Sequence, residues 1–140
     1  TVFIEDNKKW LTTMTGRYPS LHARLVNYRS CLSDWRTYLQ SPHLLEWTLP
    51  AGLDQEQWDV VLVDAPEGWA RETPGRMKSI FKASRLVREN LEIFVHDCDR
   101  EVEQVFCERF LGAENLCSEV DRLRHYKLAR AQRDCVSAVK

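Results

Sequence analysis

Three apolar runs in this 140-residue chain end in acids. Val2-Phe3-Ile4 runs into Glu5-Asp6, Trp58-Asp59-Val60-Val61-Leu62-Val63 into Asp64, and Leu91-Glu92-Ile93-Phe94-Val95 into His96-Asp97, with Asp99 close behind. One acid after one strand is a helix cap or a turn residue. Asp64 before Ala65-Pro66 and Asp97 before a helix at Arg100 both fit that reading. Three at one edge of a parallel sheet are less easily dismissed, because ligands of such sheets bind beyond the carboxyl ends of the strands. There an acid ending the second strand holds the ribose hydroxyls of a nucleotide-type cofactor. Two further acids on adjacent strands can share a divalent ion through oxygen ligands. His96 offers a base or a ligand, although a lone His at a strand end is more often structural.

Those roles require elements that carry the acids to one place, and the apolar spacing supplies them. Glu5-Asp6-Asn7 can cap a helix over residues 8–17, stopped by Gly16 and Pro19. Residues 23–28 read as a second short strand. Trp58 to Asp64 is β-branched and nearly continuous, as a strand covered on both faces of a parallel sheet would be. Ala65-Pro66-Glu67-Gly68 is a turn, and the loop to Met77 is pinned by two prolines and two glycines, as a lid over an anion would be. Met77, Ile80, Phe81, Ala83, Ser84 and Val87 make an amphipathic helix, residues 91–97 a buried strand, and Val102 to Leu111 a further helix stopped at Gly112. Residues 116–128 alternate as one or two strands. Residues 31–57 give no clear period. Strand and helix alternation of this kind means an α/β domain with a parallel sheet.

Composition narrows the function. Hydrophobic residues make up 44% and charged residues 29%, an ordinary globular balance that excludes disorder. Twenty Lys and Arg against 21 Asp and Glu give a formal charge of -1, so the chain is no nucleic-acid polycation. Basic residues nevertheless cluster over 71–88 (Arg71, Arg76, Lys78, Lys82, Arg85, Arg88) and 122–133 (Arg122, Arg124, Lys127, Arg130, Arg133). Such clusters are usually solvated faces; converging, they would favour an anionic partner. No apolar run approaches the roughly 20 residues of a membrane span. The first residue is Thr rather than Met, with no charged leader or small-residue cleavage site, and Thr1-Val2-Phe3-Ile4 reads as strand from within a domain. The five cysteines form no C-x-x-C pair and read as dispersed thiols. The glycine-rich, nucleophile-elbow and H-E-x-x-H motifs of dinucleotide enzymes, P-loop NTPases, kinases, serine hydrolases and zincins are all absent.

Several strings fall together in order: Thr1-Val2-Phe3-Ile4-Glu5-Asp6 with Trp10, Trp58 through Gly68, Pro74-Gly75-Arg76-Met77, Phe94-Val95-His96-Asp97 with Arg100 and Glu103, and Arg122-Leu123-Arg124-His125-Tyr126. In this combination the chain resembles the plant polysaccharide methyltransferases of the domain-of-unknown-function 579 group, which includes glucuronoxylan 4-O-methyltransferases. The likeness spans residue 1 to about 128 and leaves 129–140 as a tail of a single domain. It implies a Rossmann-like class I fold, a mostly parallel sheet with a C-terminal antiparallel hairpin. The implied reaction is S-adenosylmethionine-dependent O-methylation of the 4-hydroxyl of glucuronic acid on a xylan or arabinogalactan, in the Golgi lumen. Glu5, with Asp6 and Asp64, would then bind the cofactor. Asp64, His96 and Asp97 would be catalytic, with His96 second choice as general base, and Asp64, Asp97 and Asp99 would ligate a divalent ion. Arg76, Arg100, Arg124 and His125 would contact the anionic polysaccharide, Arg76 and Arg124 by paired donors to its carboxylate.

The family pattern differs at one place. It carries a strand and a glycine-containing turn, cradling the cofactor's methionine portion, just before the equivalent of Thr1, and this chain begins after both. In the class I order 3-2-1-4-5-7-6 that first strand lies between the strands at residues 2–4 and 60–63. Without it both would leave backbone groups unpaired in mid-sheet. The sheet is therefore expected to be completed by residues upstream or by another chain. The alternative is a methyltransferase-like module that serves as an inactive structural or interaction subunit.

Overall fold

A computed structural model describes residues 1–86 and 90–129; Val87 of the predicted helix, Arg88 of the first basic cluster, and Arg130, Arg133 and Cys135 of the tail lie outside the described residues. The chain opens with strand β1, Phe3–Glu5, paired in parallel with β2, Ala23–Leu25, so that Glu5 stands opposite Leu25. Helix α1, Lys8–Arg17, makes the crossover. Its cap is built by the residues that end β1. Asn7 Oδ1 accepts the Trp10 N–H at 3.0 Å, and the Asn7 N–H is donated to Glu5 Oε1 at 2.8 Å.

A second sheet has the order β3-β4-β6-β5, from Val60–Val63 (β3), Leu91–Val95 (β4), Leu116–Val120 (β5) and Leu123–Leu128 (β6). β3 and β4 are parallel, with Val63 opposite Val95, and β6 runs antiparallel to both β4 and β5. The architecture is thus mixed α/β. Its described strands make two parallel and two antiparallel pairings rather than a mostly parallel sheet, because the C-terminal hairpin adds two antiparallel neighbours. That hairpin turns at Asp121, whose φ of 54 lies in the left-handed region.

The core forms between this sheet and helices α3, Met77–Arg85, and α4, Glu101–Phe110, the short α2 being Trp35–Gln40. Met77, Ile80, Phe81 and Ser84 recur at helical spacing and are buried, while Leu91, Ile93 and Val95 alternate inward from β4. Phe81 and Phe110 meet edge to face at 5.2 Å, joining α3 to α4. Residues 31–57, which showed no period, form α2 and three 3₁₀ turns broken at Pro42 and Pro50, yet deliver Tyr38, Leu45 and Leu49 to the same core. The thiols of Cys98 and Cys107 are buried 4.0 Å apart, and Cys31 and Cys117 are free.

β3 departs from expectation. A continuous apolar strand should be covered on both faces, but Val60 and Leu62 are 56% and 64% exposed while Val63 faces the core. Among the described residues β1 pairs only with β2 and β3 only with β4, so each keeps one unpaired edge. No described helix is long and apolar enough to cross a membrane.

Candidate active site

The carboxyl ends of β1 and β3 and the turn after β4 open onto one pocket of about 670 Å³, a size that suits a small organic ligand. Glu5, Asp6, Asn7 and Trp10 line it on the β1 side; Asp64, Pro66, Glu67, Gly68, Trp69, Arg76, Asp97 and Arg100 line it on the other. Glu5, Asp64 and Asp97, far apart in sequence, therefore share one hollow. Burial is the main reason the Asp6 carboxyl is pushed above its ordinary range, with the neighbouring Glu5 adding to it.

Asp97 is the centre of the far wall. It is buried, at a φ of 60 that Asp tolerates better than most side chains. Oδ2 receives Arg76 Nη2 at 2.8 Å and Arg100 Nη2 at 3.1 Å; Oδ1 receives Arg122 Nη1 at 3.2 Å and lies 3.1 Å from His96 Nδ1. Burial opposes its ionisation, but Arg76, Arg100 and His96 outweigh burial and hold the carboxyl below the usual carboxylate range. His96 Nδ1 is also 3.1 Å from Asp64 Oδ1. With two carboxylates on Nδ1, the tautomer with hydrogen there is favoured, leaving Nε2 as an acceptor that no described residue engages.

Asp64, His96 and Asp97 also present donor atoms within 4.8 Å of one another. They do not fit the expected divalent site. Asp99 is exposed and stands outside this group, so the set Asp64, Asp97, Asp99 is not assembled. Asp97 already meets a guanidinium at each oxygen, and a metal ion would have to displace those charges.

Several of the basic residues expected to contact a polysaccharide carboxylate are engaged within the chain. Arg76 is buried, donating to the carbonyls of Pro66, His96 and Asp64 besides its contacts with Asp97 and Asp64, so its fork holds the two strand ends together. Arg124 lies on the β6 face that carries Tyr126 and Leu128 and pairs with Glu119. His125 faces the other way, stacked on Phe94 at 4.4 Å and bonded to Glu92 at 2.8 Å. Neither lines the pocket. The basic helix expected to meet an anion is neutralised too: Lys82 pairs with Asp54, Arg85 with Glu46, and Lys78 is buried. The second cluster is partly paired as well, Lys127 reaching Glu92.

Residues 43–126 match the family described as IRX15/IRX15L/GXM. Arabinogalactan O-methyltransferase 2 of Arabidopsis thaliana is 31% identical over 156 residues, 94% of this chain and 54% of that protein. The chain belongs to the IRX15/IRX15L/GXM family. Glucuronoxylan 4-O-methyltransferase 2 of the same plant is 32% identical over 149 residues (91% of this chain, 51% of that protein), and Protein IRREGULAR XYLEM 15 is 41% identical over 92 residues (61% and 29%). The chain thus spans about half the length of the methyltransferases it matches. No solved structure matches it.

Within this IRX15/IRX15L/GXM domain, several residues of the site carry no role in the sequence reading. In the sequence Arg122 belongs to a basic cluster and to a string shared with the family but carries no site role, although it, not Arg124, reaches Asp97. Trp10 and Trp69 rim the pocket at 43% and 72% exposure, which spacing cannot announce. Glu103 lies buried below the loop, both oxygens without a hydrogen-bond partner, 3.9 Å from Arg100 Nη1. Burial pushes its carboxyl up against the pull of Arg100 and Arg76. Gly68 rests on it: a Cβ there would stand 3.0 Å from Glu103 Oε1. Gly75 closes the same loop at φ 69, donating its N–H to the Glu67 carbonyl at 2.8 Å.

Proposed function

We propose that this chain is the C-terminal part of a Rossmann-like class I domain that methylates the 4-hydroxyl of glucuronic acid on a polysaccharide, with S-adenosylmethionine as methyl donor. The observation that carries the reading is the shared pocket of Glu5, Asp64 and Asp97 at the ends of β1, β3 and β4. Strand order supports it. The runs β2-β1 and β3-β4-β6-β5 correspond to 3-2 and 4-5-7-6 of the class I sheet, with the open edges of β1 and β3 where strand 1 belongs. The relatives named as arabinogalactan and glucuronoxylan O-methyltransferases support the acceptor class.

The chemistry of the β1 wall suits the cofactor. Glu5 and Asp6 are carboxylates without a cationic side chain against them among the described residues, and diols donate to such acceptors. When bound, the cofactor supplies a methyl group on a positive sulfonium, which departs as a neutral thioether. The chain's residues must aim the sugar hydroxyl and take its proton. His96 Nε2 would take that proton, with Asp64 and Asp97 on Nδ1 orienting the ring and stabilising the imidazolium that results. Arg76 keeps both carboxylates in place.

A second reading, a methyltransferase-like interaction module without catalysis, is favoured by the likeness to IRREGULAR XYLEM 15, whose name declares no activity. Calorimetry with S-adenosylmethionine and S-adenosylhomocysteine on the full-length protein separates the two. Binding is expected, and a folded protein that binds neither ends the enzymatic reading. In the active enzyme, Asp64→Asn should cut kcat at least about tenfold while cofactor affinity holds, since one carboxylate on His96 is lost.

A further inference from the structure

We propose that Arg122 is the specificity residue of this site, its guanidinium gripping the carboxylate of the uronic acid whose neighbouring hydroxyl is methylated. The inference rests on the methyltransfer reading for the identity of the sugar, but not for the existence of the carboxylate site. In a 4-hydroxy uronate the hydroxyl and the carboxylate sit on adjacent ring carbons, within reach of each other. A cation close to the base that takes the hydroxyl proton would therefore lie within reach of that carboxylate.

Arg122 is that cation. Its Nη1 and His96 Nδ1 meet on the same atom, Asp97 Oδ1, at 3.2 and 3.1 Å. Its side chain is 47% exposed, and Asp97 is its one ion-pair partner among the described residues, so most of its five N–H donors remain for a ligand. The other candidates lack this combination. Arg76 is enclosed by carbonyls and carboxylates, Arg100 is shared between Asp97 and Glu103, and Arg124 is paired with Glu119 away from the pocket. The backbone holds Arg122 in place as well. Its carbonyl accepts the Cys98 N–H at 2.9 Å, stitching the hairpin turn to the residue after Asp97. The tip of the β5-β6 hairpin thereby brings a fork to Asp97 beside His96; neither Arg122 nor His96 is among the residues that line the pocket, so the uronate would sit at its margin, next to Asp97.

The test uses the full-length protein and two probes, a xylo-oligosaccharide bearing glucuronic acid and the same oligosaccharide with its carboxyl reduced to a neutral hydroxymethyl. Arg122→Gln should weaken the uronate probe about tenfold or more, raising KM more than it lowers kcat, with the neutral probe and S-adenosylhomocysteine bound as before. Arg122→Lys, which keeps the charge but not the fork, should recover part of the loss, and Arg124→Gln should leave uronate affinity intact. Unchanged uronate affinity in Arg122→Gln overturns the proposal. So does an equal loss of both probes, which would mark a structural role, or failure of the native protein to prefer the uronate. If uronate selectivity follows Arg122 while S-adenosylhomocysteine does not bind, the carboxylate site stands and the methyltransfer reading falls.

Discussion

The β1 wall of the pocket offers Glu5 and Asp6 from a two-stranded sheet in which no residue is fully buried, whereas the β3–β4 wall surrounds buried Asp97 with Arg76, Arg100 and Arg122. The same residue type performs opposite tasks on the two sides. An acid with three guanidiniums around it is a fixed point of the structure, aiming its neighbours. An acid with no cation of its own keeps its lone pairs for a ligand. On the proposed reading, that contrast suits Asp97 to supporting His96 rather than to holding a metal ion.

The sharpest way to break the comparison is Asp97→Asn. Removing that charge leaves buried Arg76 short of its closest carboxylate. It should cost about 2–3 kcal/mol in chemical denaturation, at or below the lower end of the range for a broken buried pair because Arg100 and Arg122 retain solvent access. The pH dependence carries its own sign. The folded Asp97 pKa is depressed, so its stabilisation is present above the unfolded value near ~3.9 and is lost as pH falls through the folded one. The Asn variant should lack that acid limb, and an unchanged limb would place the charge network elsewhere.

Glu5→Ala tests the opposite wall with a smaller effect on the fold. Cofactor affinity should fall about tenfold or more by calorimetry, while stability changes by no more than about 1 kcal/mol, since the side chain makes one backbone hydrogen bond, to Asn7. A stability loss as large as that of Asp97→Asn would erase the distinction between the walls. Glu103→Gln should have the smallest effect, and of the other sign. The raised Glu103 pKa means that ionisation disfavours the fold as pH rises through it. The Gln variant should therefore gain up to about 1 kcal/mol at pH 7 and lose that advantage below about pH 4, where Glu is protonated in both states.

Much of this arrangement was legible in residue order. Apolar runs that end in acids marked β1, β3 and β4, and period 3.6 marked α3, because those signals depend on neighbours in the chain. Residues 31–57 were not legible, since short 3₁₀ turns between prolines repeat too briefly to show a period. The exposure of Val60 and Leu62 was hidden as well, because an apolar side chain does not record whether anything covers it. Arg122 and Arg124 look alike in sequence, two residues apart on a hairpin. One meets Asp97 and the other Glu119 only because of where the turn and the register with β4 place them.

The sequence by itself determined which acids could meet, since strand ends and helix caps follow from local spacing and backbone preference. Only the tertiary structure decided which of them is surrounded by guanidiniums and which is left open. Charge pairing depends on distances of a few ångströms, mostly between residues remote in the chain, and Arg76, Arg100 and Arg122 reach Asp97 from the N-caps of α3 and α4 and from the β5-β6 turn.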